Sequence, residues 1–328
     1  MDRNKAFVVV VSVLTLALIA FLVFRVAASQ SLREGLGLAR NFVFAEGVAR
    51  EDSGRTNFVI LGKAGEGSPA PDLTDTIIFA SVRRDGPRRI DLLPIPRDIW
   101  IEDLRAKLNS AYFWGGIPLV KSSVEEIVGV PVHYAMVVDF SGFRELIDFV
   151  GGIDVVVDKS FTDERFPVPG RESDLCDGDR IFSCRYETVK FEKGMEHMDG
   201  ERALKFVRSR MSEDKEEGTD TARSKRQQKV TTALLERVFS PEILLSPEKL
   251  LGLREITNRL VERDIKDGEL AAIARTTLEA RGRLKAHSLD ERLLVNPPIS
   301  PKYDNLYVFI PKGEGWEDTH QWIQNEIF

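Results

Sequence analysis

The chain has 328 residues, of which 43% are hydrophobic and 30% charged, with a net charge of −6. That is the composition of a folded globular chain and not of a disordered one. The acidic balance excludes nucleic-acid binding through bulk charge, so any basic site is local, and no helix-turn-helix, zinc-finger or RNA-binding signature is present.

At the N-terminus, residues 7–24 carry no charge, with Ser12 and Thr15 as the polar side chains, and Arg3, Lys5 and Arg25 flank the run. Such a run narrowly spans a hydrocarbon core of about 30 Å, and residues 26–28 extend it. Its basic flank predicts a cytoplasmic N-terminus and places the remainder of the chain outside. A cleaved signal peptide is the alternative, but its apolar region is ordinarily about 7–15 residues, and Arg25 sits badly before a cleavage site. The expected organisation is a single-pass protein of the cell membrane. It has a short cytoplasmic tail (1–6), a transmembrane anchor (7–28), a polar stalk (29–56) and an extracytoplasmic domain (57–328).

Short β-branched runs predict strands over 58–61, 76–82, 90–93, 134–138 and 153–157. Helical patterning covers 117–128, and 141–150 with Ser141 as N-cap and Gly151 as the stop. Further helices are predicted over 199–207, 220–239, 247–263 and 267–281, and a late strand over 306–310. Strands mixed with helices imply an α/β domain with a central sheet covered on both faces. Residues 158–191 are polar and rich in Pro, Asp and Arg, and read as an excursion from that sheet. Within it stand the two cysteines, Cys176 and Cys184. Outside the cytoplasm a local disulfide is their natural reading, since a metal site needs more ligands nearby.

The four histidines, His133, His197, His287 and His320, are scattered, with no HExxH pair, nucleophile elbow or P-loop lysine motif. Residues 62–67, Gly-Lys-Ala-Gly-Glu-Gly, resemble a phosphate-cradling loop without the Walker spacing, the alternative being a flexible turn after a strand. Three clusters remain. Asp72-Leu73-Thr74-Asp75-Thr76 sets two carboxylates beside hydroxyls at a strand entrance, either a capped turn or a seat for a hard cation. In Pro94-Ile95-Pro96-Arg97-Asp98 the prolines stiffen the strand exit and hold the arginine, which suits bidentate phosphate recognition or an ordinary Arg–Asp surface pair. The third pairs Val207-Arg208-Ser209-Arg210 with a segment carrying Arg223, Arg226 and Gln227. Arg208 and Arg210 share a side of an extended chain, and the latter three share a helix face. These residues are either a solvated basic face or a polyanion site. Together the clusters supply arginines for a phosphate-rich ligand, carboxylates for a divalent ion and no covalent nucleophile, a combination that suits phosphoryl transfer.

Nine short segments in order carry a resemblance. They are Phe58-Val59-Ile60-Leu61-Gly62, Leu73-Thr74-Asp75-Thr76, Ile95-Pro96-Arg97-Asp98, Lys107-Leu108-Asn109-Ser110-Ala111-Tyr112, Val138-Asp139-Phe140 with Gly142-Phe143, Gly151-Gly152-Ile153, Met198 to Leu204, Val207-Arg208-Ser209-Arg210 and Arg226-Gln227-Gln228. Over residues 57–239 the chain resembles the LytR–CpsA–Psr family of cell-wall glycopolymer transferases, with 240–328 as its C-terminal completion. The resemblance implies an α–β–α sandwich with a central mixed sheet and a deep apolar groove for a polyprenyl tail. It also implies transfer of a glycopolymer from a polyprenyl-diphosphate carrier to peptidoglycan at the membrane, with Mg²⁺ (or Mn²⁺) as cofactor. By the same resemblance, Arg97, Lys107, Arg208, Arg210, Arg223 and Gln227 bind diphosphate, and Asp75 and Arg97 are catalytic. Asp75 and Asp72 are then the metal carboxylates. One position departs from the family pattern: Ala64 stands where an aspartate is usual, which leaves Glu66 or Asp72 to supply that carboxylate. A non-catalytic polyprenyl-phosphate binding module and a diphosphate hydrolase are the competing readings.

Overall fold

The computed structural model describes residues 49–328 except 66, 67, 69, 213, 215, 245, 281, 290 and 291. The predicted anchor and most of the predicted stalk therefore lie outside the described residues. Among the described residues, no helix is long and apolar enough to cross a membrane.

The apolar runs near the start form β1 (Arg55–Lys63), β2 (Thr74–Arg83) and β3 (Ile90–Pro94), a consecutive antiparallel set. Next come helix α1 (Ala111–Val128) and strand β4 (Tyr134–Asp139), which returns parallel to β1. Two edge strands complete a six-stranded mixed sheet in the order β9-β4-β1-β2-β3-β10, with β9 at Val261–Arg263 and β10 at Leu284–Ala286. Strand alternation sends successive side chains to opposite faces. Val59, Leu61, Ile77, Phe79 and Leu93 meet Val120, Val124 and Ile127 of α1, together with Ile323 of the C-terminal helix Glu317–Glu326. Phe58, Ile78, Ala80, Val82 and Leu92 meet Ile265 and Ile273, the latter on helix Asp267–Glu279. Each such buried Val, Leu, Ile or Phe contributes about 1.5–3 kcal/mol, and the sheet is covered by helices on both faces, as the sequence implied.

Beside the sheet a second apolar cluster joins α2 (Phe140–Phe149), β5 (Ile153–Val157), β6 (Phe161–Pro167), β7 (Tyr186–Phe191), β8 (Gly194–Met198), α3 (Gly200–Arg208) and α4 (Asp220–Val238). The excursion over 158–191 is thus built around the β6–β7 hairpin, and Cys176 and Cys184 are disulfide-bonded in its connecting loop, Cα atoms 5.6 Å apart.

Several local expectations need correction. The N-cap of α2 is Asp139, not Ser141: its Oδ1 accepts from Gly142 N at 2.7 Å and from Ser141 Oγ at 2.7 Å. Asp139 ends a strand in extended backbone, the geometry a cap requires, whereas Ser141 is already helical. The helix predicted over 247–263 ends at Leu260 (Pro247–Leu260), because Val261–Arg263 pairs with the open edge of β4. That pairing satisfies backbone groups on both strands. The strand predicted over 306–310 shrinks to Ile310–Pro311, where proline lacks the N–H a longer ladder needs. Helix α1 begins earlier than predicted and kinks at Gly115 and Gly116, the latter at φ +59°.

At the amino end of β1, Arg55 is 1% exposed and its guanidinium pairs with the fully buried Asp91 of β3. Asp91 also accepts from Arg89 at 2.8 Å and meets His287 Nε2 at 2.8 Å, while Arg55 Nε donates to Ser81 Oγ at 2.8 Å. Burial opposes the Asp91 charge, but hydrogen bonds from His287 and Arg89 and the Arg55 charge hold its carboxyl below the ordinary range. A carboxyl depressed in this way stabilises the fold fully above its unfolded pKa of about 3.9, and the contribution disappears as pH falls through the folded value. Asp91→Asn leaves Arg55 buried without its counter-charge and is expected to cost about 3–5 kcal/mol. Urea titration at pH 7 and at about pH 2 checks both points: the wild-type advantage is expected to be largest at pH 7 and to narrow only below the unfolded pKa of about 3.9.

Candidate functional site

The carboxyl ends of β1, β3 and β4 and the amino end of β2 share one sheet edge: Lys63 is opposite Thr74 and Asp139, and Ile78 opposite Pro94. Open α/β sheets bind ligands at the carboxyl ends of their strands. Just beyond β3, Ile95 N donates to Ile77 O at 2.8 Å and Asn109 N to Arg97 O at 3.0 Å. Thr74 Oγ1 in turn donates to Asn109 O at 3.2 Å. Arg97 therefore leaves a backbone fixed on both sides. Its guanidinium pairs with Asp75 and lies 3.5 Å from Asp98, whose other oxygen takes Lys107 Nζ at 2.7 Å.

Arg208 arrives from the second cluster as the last residue of α3. Its guanidinium carbon lies 4.4 Å from the Phe140 ring centre and 5.4 Å from that of Phe166. Burial lowers its pKa, Asp75 and Glu201 pull the other way, and Arg210 adds to the lowering. A guanidinium desolvated on rings gains most when an anion joins it. From α4, Gln227 Nε2 donates to Thr76 Oγ1 at 3.1 Å, which brings that helix to the edge. Arg223 lies one turn earlier on α4, and Arg210 follows α3 with its side chain exposed.

Of the residues singled out in the sequence, Asp75, Arg97, Lys107, Arg208 and Gln227 are thus brought together, with Arg210 and Arg223 on the same two elements. Asp72 is instead paired with Lys63 at 2.8 Å, and Lys63 also lies over the Tyr112 ring at 5.0 Å. Burial, then the hydrogen bond to Glu262, raises the Tyr112 pKa. Glu66 lies outside the described residues. Among the described residues, three candidate metal ligands come together at Asp174, Cys176 and Cys184, where both sulfurs belong to the disulfide. Asp98, Phe140 and Phe166 were missed as site residues. Asp98 was visible only as a partner for Arg97, and nothing in local spacing marks the two rings as the bed for Arg208.

Arg97 on Asp75, Lys107 on Asp98 and Arg208 on its aromatic rings thus stand at the carboxyl edge of the mixed sheet of an α/β protein. The chain belongs to the LytR_cpsA_psr family, whose model matches residues 32–323. It is 28% identical over 246 residues to the polyisoprenyl-teichoic acid–peptidoglycan teichoic acid transferase TagV of Bacillus subtilis, covering 73% of this chain and 56% of that protein. To TagU of Bacillus cereus it is 29% identical over 147 residues, 44% of this chain and 40% of that protein. The chain therefore spans about half the length of the curated relatives it matches. Among solved structures, the B. subtilis TagV crystal structure matches with a TM-score of 0.61 at 23% identity, over 84% of this chain and 98% of that one. TagT bound to LI-WTA matches with a TM-score of 0.57 at 19% identity, over 85% and 93%. These last two likenesses are of fold.

A charge-assisted hydrogen bond contributes about 1.5–3 kcal/mol, which is about 10- to 150-fold in affinity. Arg97→Ala and Arg208→Ala are each expected to weaken binding of inorganic diphosphate within that range, read by titration calorimetry on the full chain. Lys285→Ala, on the edge strand β10, is expected to leave it unchanged.

Proposed function

We propose that this protein transfers a glycopolymer from a polyprenyl-diphosphate carrier onto peptidoglycan, at the outer side of the membrane to which residues 7–28 anchor it. The observation that carries the reading is the chain of contacts at this edge, in which Arg97 pairs with Asp75, Lys107 with Asp98, and Gln227 of α4 with Thr76 beside Asp75. Membership of the family and the printed activity of TagV and TagU support it.

In this reading the arginines, Lys107 and Gln227 grip the diphosphate, and the Arg97 fork spans Asp75 and a phosphate oxygen. A peptidoglycan hydroxyl attacks the sugar-proximal phosphorus. The new O–P bond forms as the bridging P–O bond breaks, and polyprenyl monophosphate leaves with the bonding pair. Asp75 accepts the hydroxyl proton. The guanidinium groups offset charge that builds on the phosphoryl oxygens and on the leaving phosphate. Mg²⁺ ordinarily takes one or two carboxylates along with water and substrate phosphate. Asp72 is taken by Lys63, so Asp75 is the carboxylate that would be offered to a phosphate-borne Mg²⁺, and an all-protein cage does not fit. When bound, the ion adds charge neutralisation on the diphosphate. The apolar groove implied by the family would take the polyprenyl tail.

Ala64 and the Lys63–Asp72 pair favour one other reading, a module that binds polyprenyl phosphates without turnover. The deciding assay incubates the full chain with a short-chain polyprenyl-diphosphate sugar and Mg²⁺, with and without peptidoglycan fragments, and follows products by mass spectrometry. Sugar phosphate is expected on the fragments and is expected to vanish with Asp75→Ala and Arg97→Ala. Diphosphate cleavage without labelled acceptor would instead mark a hydrolase, and binding without turnover the module.

A further inference from the structure

The segment that delivers Arg208 and Arg210 to the site has no regular structure of its own past the end of α3 at Arg208. Two charged side chains outside the site are buried against its backbone from opposite sides. On one side Asp163 of β6 is 1% exposed, and its Oδ2 accepts from Arg210 N at 3.0 Å and from Met211 N at 3.2 Å. Its other oxygen accepts from Arg165 N at 3.0 Å. On the other side Arg226 of α4 is 4% exposed. Its Nε donates to Phe206 O at 3.0 Å, its Nη2 to Ser209 O, and its Nη1 to Glu217 O at 3.1 Å and Glu217 Oε2 at 2.8 Å. The rings of Phe161 and Phe206 flank this guanidinium at 4.8 and 5.9 Å.

Both groups are buried, a costly arrangement for ionisable side chains unless their polar contacts are made. Burial lowers the Arg226 pKa and Glu217 opposes that, with a smaller opposing pull from Asp163. The contacts converge on the carbonyls and amides of residues 206–211, the stretch that contains both arginines. We infer that Asp163 and Arg226 are positioning residues, a two-sided backbone clamp that fixes Arg208 and Arg210 for the diphosphate. The inference rests on the reading of the site given under Proposed function. A fork of donors in fixed planar geometry suits this task. An ammonium at the same place satisfies at most part of the four contacts.

The test compares Asp163→Asn, Arg226→Lys and the double variant with Val155→Ala, which removes buried volume from the same apolar cluster on β5, outside the polar contacts that hold the segment. Three quantities are read on the full chain well below the melting midpoint: the Kd for inorganic diphosphate, the thermal midpoint, and the rate of tryptic cleavage after Arg208 and Arg210. Each single variant is expected to weaken diphosphate about tenfold or more, roughly the loss of one charge-assisted contact, and to speed both cleavages. The double variant is expected to fall short of the product, because both side chains act through one segment. Val155→Ala lowers the midpoint and moves neither other reading. The inference is overturned if the clamp variants lower the midpoint as Val155→Ala does while Kd and cleavage stay at wild-type values. Should Asp163→Asn not fold, Glu217→Gln removes a single anchor of Arg226 and carries the same comparison at smaller amplitude. Should the wild type bind no diphosphate, the proposed function fails, and the clamp is then judged on tryptic cleavage alone.

Discussion

Like-charge repulsion sets the terms for this molecule. Two guanidinium groups about 4 Å apart near a protein surface oppose each other by about 4 kcal/mol, and the sheet edge gathers several cations. Asp75 meets Arg97, Asp98 is shared between Arg97 and Lys107, and aromatic rings support Arg208. The arginines are thereby aimed before any ligand arrives. Preorganisation of this kind is what electrostatic catalysis of group transfer requires, since no reorganisation is then left to the reacting complex.

The opposite end of the same strands shows what exposure does to one chemistry. Arg55 and Arg97 both pair with an aspartate, at the start of β1 and past the end of β3. Arg55 and Asp91 are 1% and 0% exposed, and His287 and Arg89 close the network around them. Arg97 and Asp75 are 27% and 42% exposed. The first pair is sealed, so its charge serves only the fold. The second opens to solvent, and in the proposed function an incoming phosphate shares Arg97. Identical residue types therefore differ in what can reach them, and burial makes the difference.

This contrast also explains which features could be read from the sequence. The strands of the sheet announced themselves through β-branched runs, and Arg97 through the prolines that stiffen its exit, because those signals are local. The Asp91 network was invisible: an aspartate inside an apolar strand declares nothing until His287, far along the chain, comes to meet it. Strand β9 was hidden for a related reason, since Val261–Arg263 continues a helical pattern and only the free edge of β4 draws it into a strand. Asp163 stood in a polar excursion whose hairpin pairing, and not its composition, buries it. Arg226 shared a helix face with Arg223 and Gln227 in the sequence, but it is turned inward while Gln227 reaches the edge.

The Ala64 departure gains meaning from the same kind of long-range approach. The loop leaving β1 turns at Gly65 with φ +79°, and a Cβ there would lie 2.8 Å from Asp139 Cβ and 2.9 Å from Asp139 Oδ2. Only glycine allows the chain to pass so close in that conformation. Asp139 sits opposite Lys63 in the β1–β4 register, and its Oδ1 is occupied as the cap of α2, where the positive end of the helix favours a carboxylate. The exit of β1 therefore lacks an acidic side chain at position 64, yet its loop runs against a carboxylate anchored on the neighbouring strand. Carboxylates at this edge come from β4, β2 and the β3 exit, at Asp139, Asp75 and Asp98, and not from position 64.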